Sequence, residues 1–283
     1  MVRQRFRHSR VTPRRISIKS ELNIMLRANV GTGRSWFWLL LLALSATGTT
    51  WAASVNQGAP LKVGVSPIFP PMVFKQGREL AGVEVDLARA FGKHAARPIQ
   101  WVELPWKDQI GALHDGKIDI IISSMSVTTA RGFVVAFTQP YLVVGQMALV
   151  RRTDMGLYAL GFPGTLPGTV GALRATTGEF LAQRDFPGAK LRSLPDSLAA
   201  VKALVNQRID LFISDSTLAW YLAGMHAGDG LTVVPIPLNE ERLAWAVRKG
   251  DDALMASANA YLAQATQDGS LQQVLKRWMA VGP

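Results

Sequence analysis

A chain of 283 residues with a formal charge of +11 and no cysteine has room for two domains of ordinary size, and it excludes disulfides and thiolate metal sites. The charge belongs to the leader: residues 1–53 hold nine Lys or Arg and one acid, whereas the rest holds 22 basic and 19 acidic residues. So balanced a body gives a polyanion little to hold, and no nucleic-acid partner is expected.

The basic stretch ends at Arg34 and runs into WFWLLLLALSA, Trp36 to Ala46, followed by small and polar residues through Ala53. That order is the pattern of a secretory signal, with cleavage expected after Ala52. The apolar run of 11 residues falls short of the roughly 20 that span a bilayer, which disfavours the alternative of a retained anchor. Arg14 and Arg15 resemble a twin-arginine export signal, but Ser17 stands where an apolar residue is usual. Met25 would begin a signal of more ordinary length. The mature protein is expected to be soluble and untethered, because no cysteine is available for lipid.

LKVGV from Leu61 reads as a strand, and the prolines of PIFPPMVF hold Phe69 in an extended loop. GVEVDLARAFGKHA has helical spacing at Val85, Leu87, Ala88 and Phe91, with acids in its first turn to suit the helix dipole. PIQWVEL, DQIGALHDGK and IDIIISS follow as strand, helix and strand. A second series then reads TVGAL, a helix from TTGEFLAQ, KLRSL, DSLAAVKALVNQR, IDLFISD and STLAWYLAG. Thr176 and Glu179 have capping-box spacing. LAWAVRKG adds a strand, and two helices close the chain. Alternation of this kind marks βαβ units. The stretches near Gln146–Arg151 and Pro235–Leu243 look like crossings between lobes that act as a hinge.

The two series contain an echo. From Ala112 the chain reads ALHDGKIDIIISS, and from Ala203 it reads ALVNQRIDLFISD, without a gap. Each copy is a helix end, a turn and a strand apolar enough for burial on both faces. The copies part at the strand end, where Ser124 answers to Asp215. Ligands of open α/β sheets bind beyond the carboxyl ends of strands, so these positions are the first candidates for chemistry.

In SSMSVTTAR, Ser123 to Arg131, a cap at Thr128 or Thr129 would bring backbone amides and Arg131 to one spot. The arginine could then grip a carboxylate in two parallel bonds, with the Ser124 and Ser126 hydroxyls alongside. The same residues also fit plain turn and capping chemistry with a solvated arginine. Asp215 could take an ammonium group or cap the helix that starts at Ser216. Phe69 and Trp106 could cover an apolar or cationic group, or be ordinary core. His94, His114 and His226 lie in helix or helix-end sequence with no serine motif beside them, and no phosphate loop, metal cluster or cofactor motif is present.

Taken together, LKVGVSPIFPPMVF, GVEVDLARA, PWKDQIGALHDGKIDIIISSMSVTTAR, FTQPYL, VGALRATTGEF, RIDLFISD, LAWAVRKGD and DGSLQQVLKRW resemble the family 3 extracellular solute-binding proteins, the amino-acid receptors of ABC importers. The likeness runs from about Leu61 to Trp278. It implies an α/β, two-lobed periplasmic-binding-protein type II fold with a hinge and an interlobe cleft, lobe one being 61–147 plus 241–283 and lobe two 148–240. It also implies a site in which Arg131, helped by Ser124, Ser126 and Thr177, holds the α-carboxylate. Asp215 and the strand end near Ser124 hold the ammonium, and Phe69 and Trp106 pack around the side chain. The implied protein is a monomer that needs no cofactor and delivers an amino-acid-like ligand to a membrane ABC permease.

Departures from the pattern fall in the side-chain pocket. Ser66 stands where relatives that take basic amino acids carry an acid, which disfavours a lysine-like ligand. Met72 replaces a common Phe and Ala175 a common Gly, and Arg174 would suit an acidic side chain or simply face solvent. The alternative function is a dehydratase of the cyclohexadienyl type. It would need a general acid from among Glu103, Asp108, Glu179 and Asp215.

Overall fold

In the computed structural model, residues 58–158, 161–162 and 168–279 are described; the expected signal lies outside them. The first lobe opens with β1 (Leu61–Val65), β2 (Ile68–Phe69), β3 (Val73–Gln76), β4 (Glu79–Ala81), α1 (Val83–His94), β5 (Ile99–Glu103), α2 (Gln109–His114) and β6 (Ile120–Ile121). It continues through the short α3 (Thr129–Gly132), β7 (Ala136–Phe137) and β8 (Leu142–Val144). The second lobe carries β9 (Gln146–Arg151), β10 (Thr169–Leu173), α4 (Thr177–Asp185), β11 (Lys190–Leu194), α5 (Ser197–Val205), β12 (Leu211–Asp215), α6 (Ser216–Met225) and β13 (Leu231–Val233). The chain then returns through β14 (Glu241–Leu243) and β15 (Ala246–Val247) to α7 (Asp252–Gln267) and α8 (Ser270–Met279).

Each lobe is built on a mixed five-stranded sheet of the same plan. The orders are β5-β1-β6-β15-β7 and β11-β10-β12-β9-β13, three parallel strands followed by an antiparallel one and a short edge strand. The lobes are joined by β8 and β14, which pair antiparallel from Leu142↔Leu243 to Val144↔Glu241. β9, the first strand after this crossing, pairs only with the second sheet.

The echo in the sequence is an echo in hydrogen bonds. The backbone N–H groups of Lys117 and Arg208 close the two helix ends by donating to the Ala112 and Ala203 carbonyls at 2.9 and 2.8 Å. Asp119 then accepts the Lys62 N–H at 3.0 Å, and Asp210 accepts the Thr169 N–H at 2.7 Å, so each aspartate pins the neighbouring parallel strand. Arg248 donates to the Leu113 and Ile118 carbonyls, both at 2.9 Å. Its counterpart Arg151 donates to Leu204 at 2.9 Å and Ile209 at 2.8 Å. The shared Asp of the two copies is therefore structural, and only the strand ends are left for chemistry. Asp210→Ala leaves the Thr169 amide and Arg151 short of an acceptor, and should cost about 1 to 3 kcal/mol in urea unfolding without touching the cleft. A loss under about 0.5 kcal/mol would deny the clamp.

Helix starts follow the sequence. Asp196 accepts the Ala199 N–H and Asp251 the Leu254 N–H, capping α5 and α7. α1 begins at Gly82, whose φ of 123° no other residue adopts readily and whose added Cβ would sit 2.4 Å from the Met72 carbonyl oxygen. Beneath α1, Trp245 is fully buried and stacks on Tyr261 at 5.8 Å, with Phe91 at 5.3 Å. PIFPPMVF is more than an extended loop: β2, β3 and β4 form a small antiparallel sheet. IDIIISS is a paired strand only at Ile120 and Ile121, and LAWAVRKG breaks into β14 and β15 as the chain passes from hinge to sheet. Among the described residues no helix is long and apolar enough to cross a membrane.

Candidate ligand-binding cleft

All seven expected site residues, Phe69, Trp106, Ser124, Ser126, Arg131, Thr177 and Asp215, line one cavity at the carboxyl ends of both sheets. Gln146, Thr176, Ser214 and the apolar Leu173, Ile213 and Leu218 complete it. The cavity measures about 20 Å³, room for little more than a water-sized volume, because the lobes meet across it. Trp106 donates its indole N–H to the Ala175 carbonyl at 2.9 Å, and the Thr177 hydroxyl donates to Glu241 Oε2 at 2.8 Å. A wider recess of about 950 Å³ opens beside Trp106, Arg131 and Thr177.

On the first lobe, Thr128 caps α3 by accepting the Arg131 N–H at 3.2 Å, so the capping reading of this segment holds for the backbone. The cap leaves the side chain free to point elsewhere. Arg131 lies over the Trp106 ring at 5.3 Å and donates one bond, at 2.9 Å, to the Ser126 carbonyl. Among the described residues no carboxylate lies within ion-pair distance of its guanidinium. Burial pulls its pKa down, while the more distant Glu241 and Asp215 pull it up. An arginine so placed is short of an anion.

On the second lobe, Asp215 ends β12 without capping α6, since its side chain makes no cap hydrogen bond. It accepts instead from the Gln146 amide at 2.5 Å, and Gln146 also donates to Thr177 at 3.2 Å. Burial, then the charge of Glu241, pushes the Asp215 carboxyl up to about 7. Such a carboxylate gains from a cation. Two polar atoms on the cavity wall, Ser124 Oγ and Gln146 Oε1, are buried with no hydrogen-bond partner among the described residues.

Ser66 does not reach this cavity. Its hydroxyl donates to the Leu104 carbonyl at 2.7 Å and accepts from Gln109 at 3.0 Å. Arg174 is exposed and away from the cavity wall. Of the acids weighed for catalysis, Glu103 is tied to Lys75 at 2.5 Å, Asp108 is exposed, and Glu179 holds the Ala175 N–H at 2.7 Å. Only Asp215 faces the cavity. Among the described residues no three metal-ligating side chains gather.

Sequence reasoning passed over Gln146, Tyr141 and Glu84. For Glu84 a signal was present: it shares a helix face with Leu87, Ala88 and Phe91, and an acid on an apolar stripe is an acid destined for burial.

The family model of the bacterial extracellular solute-binding proteins, family 3, matches residues 61–281. The chain belongs to this family. Among family 3 relatives, the L-cystine-binding protein TcyJ of Escherichia coli K12 is 26% identical over 226 residues, which span 79% of this chain and 84% of TcyJ. The arginine-binding extracellular protein ArtP of Bacillus subtilis is 27% identical, over 85% of this chain and 97% of its own. A crystal structure of a mutant ArgBP from T. maritima superposes with a TM-score of 0.72 at 29% identity, covering 79% of this chain and 96% of that one. The fold is therefore that of the two-lobed solute-binding proteins, and the chain is a binding protein rather than an enzyme.

Proposed function

We propose that this family 3 protein captures a free amino acid in the interlobe cleft and delivers it to a membrane ABC permease, working in the periplasm as a monomer. The observation that carries the reading is the facing of an arginine with no ion-pair partner among the described residues, Arg131 on lobe one, and an acid pushed up to about 7, Asp215 on lobe two, across one cavity. An α-amino acid supplies both missing charges from adjacent atoms. Arg131, with Ser124, Ser126 and Thr177, takes the carboxylate in charge-assisted bonds. Asp215 and the strand end at Ser124 take the ammonium, and Phe69 and Trp106, 5.2 Å apart edge to face, enclose the side chain.

The division of labour follows the two sheets, with the β1-containing lobe and its returning segment 241–283 as the carboxylate lobe and the lobe from β9 through β13 as the ammonium lobe. A cavity of about 20 Å³ is far below the roughly 300 Å³ of a small-molecule pocket, so entry requires the lobes to swing apart about β8 and β14. The ligand then stabilises the closed state by adding a bridge between Arg131 and Asp215 to the Trp106–Ala175 and Thr177–Glu241 bonds that already cross the cleft.

A thermal-shift panel of the amino acids, with dipeptides and small dicarboxylates as comparison, tests the reading. At a hundredfold excess over Kd a true ligand should raise the melting temperature by about 5 to 10 °C. If no amino acid raises it, the reading is wrong.

A further inference from the structure

Next to Ser124 lies a buried acid that is not itself among the expected ligand contacts. Glu84, 1% exposed, accepts the Ser124 N–H on Oε2 at 2.5 Å and the Tyr141 hydroxyl on Oε1 at 2.7 Å. Ser124 is held at φ 57°, in the left-handed region that a serine does not choose unaided. Ser124 lines the cavity, and its hydroxyl is buried with no hydrogen-bond partner among the described residues. Tyr141, at the other end of the carboxyl group, donates its own N–H to the Leu243 carbonyl at 3.0 Å, where the hinge pair β8 and β14 begins. The second lobe repeats the device at its own rim: Ala175, at φ 61°, has its N–H held by Glu179 at 2.7 Å.

We propose that Glu84 is a positioning residue for ligand capture, clamping the left-handed Ser124 at the cleft floor to Tyr141 at the root of the hinge. The proposal rests on the reading of the cleft as an amino-acid site and adds a residue, and a proton, to it. Burial above all, and then the charge of Asp215 across the cleft, push the Glu84 carboxyl up to about 7 against the pull of its two hydrogen bonds. Tyr141 stays protonated, because burial lifts its hydroxyl well above the usual value. On the same helix Asp86 is turned away, accepting from Arg277 at 3.0 Å and Trp278 at 2.8 Å. Ionised Glu84 is the stronger acceptor for the Ser124 amide, so the clamp tightens as pH rises through 7.

The test begins without ligand. In two-dimensional amide NMR from pH 5 to 9, the Ser124 amide proton should titrate near 7 in the full-length protein. It should still titrate, slightly lower, in Asp215→Asn, which removes the other acid, and should lose that titration in Glu84→Gln. A Ser124 amide that stays flat through this range in Asp215→Asn would overturn the proposal. In a second arm, calorimetric titration with L-arginine and L-glutamine as probes should give Glu84→Gln a Kd within about threefold of wild type. Its amide can still accept from Ser124 and donate to Tyr141. Glu84→Ala should bind at least tenfold more weakly. Where Glu84→Ala does not fold, Tyr141→Phe replaces it, with a loss of at least threefold expected. Wild-type affinity in Glu84→Ala, or in Tyr141→Phe where it serves instead, also overturns the proposal. If wild type binds neither probe while the titration appears as described, the amino-acid reading fails for these ligands and the clamp stands.

Discussion

Arg131→Ala is expected to reduce amino-acid affinity by a hundredfold or more while leaving the ligand-free protein as stable as wild type, or more so. The reasoning is electrostatic. Truncating one partner of an enclosed, hydrogen-bonded charge pair costs about 2 to 5 kcal/mol, much of it the penalty of leaving the ligand carboxylate unpaired. In the ligand-free protein the guanidinium makes one hydrogen bond to the Ser126 carbonyl and lies over Trp106, with no carboxylate of the described residues within ion-pair distance. Little stabilising contact is lost and an uncompensated charge is removed. Arg131→Lys is no rescue, because a single ammonium cannot repeat the planar two-bond grip. Calorimetric titration for affinity and thermal unfolding for stability separate the two effects. Unchanged affinity would remove Arg131 from the site.

Asp215→Asn should weaken binding on a similar scale and also erase its pH dependence. The Asp215 carboxyl is pushed up to about 7 in the ligand-free cleft, above its ordinary value of 3.8. Its contribution to stability is therefore fully present below about 3.8 and is lost as pH rises through 7. For ligand the sign is opposite. An ammonium group favours the ionised acid, so binding below pH 7 must expel a proton, and affinity should rise by up to about tenfold per pH unit until it levels above 7. In Asp215→Asn the profile between pH 5 and 8 should flatten, apart from what remains of the Glu84 titration. The ligand-free variant should melt above wild type at pH 8 by more than at pH 5. A wild-type affinity that does not change between pH 5 and 8 would contradict the assignment.

The sequence carried much of this architecture because the architecture is duplicated. ALHDGKIDIIISS and ALVNQRIDLFISD share the helix end, the turn and the pinning aspartate, and so announce two lobes of one plan. The divergence at Ser124 and Asp215 falls where both sheets open onto the cavity. Two readings left open by sequence were of the kind that only geometry separates. Thr128 does cap α3, and this is compatible with Arg131 reaching the cavity, because the cap uses its backbone and not its guanidinium. Asp215 precedes α6 in cap position yet makes no cap bond, since Gln146 takes its carboxyl group first.

What sequence could not reveal were contacts between distant segments. Gln146 lies 69 residues from Asp215, and Tyr141 lies 57 from Glu84. Nothing local marks either as a partner. The small sheet of β2, β3 and β4 was hidden by its prolines, which read as a loop although β2 ends before Pro70. Ser66 misleads in the other direction. The resemblance places it in the side-chain pocket, but its hydroxyl is spent on Leu104 and Gln109 and it does not line the cavity.

The central claim is the polarity of capture, carboxylate to lobe one and ammonium to lobe two. Its most direct test is calorimetric titration of Arg131→Ala and Asp215→Ala with the best amino acid of the panel, its α-carboxamide and its deaminated acid. Arg131→Ala should no longer distinguish the amino acid from its carboxamide, and Asp215→Ala should no longer distinguish it from the deaminated acid, each variant keeping the other preference. Preferences that swap between the two variants, or that persist unchanged in both, would contradict it.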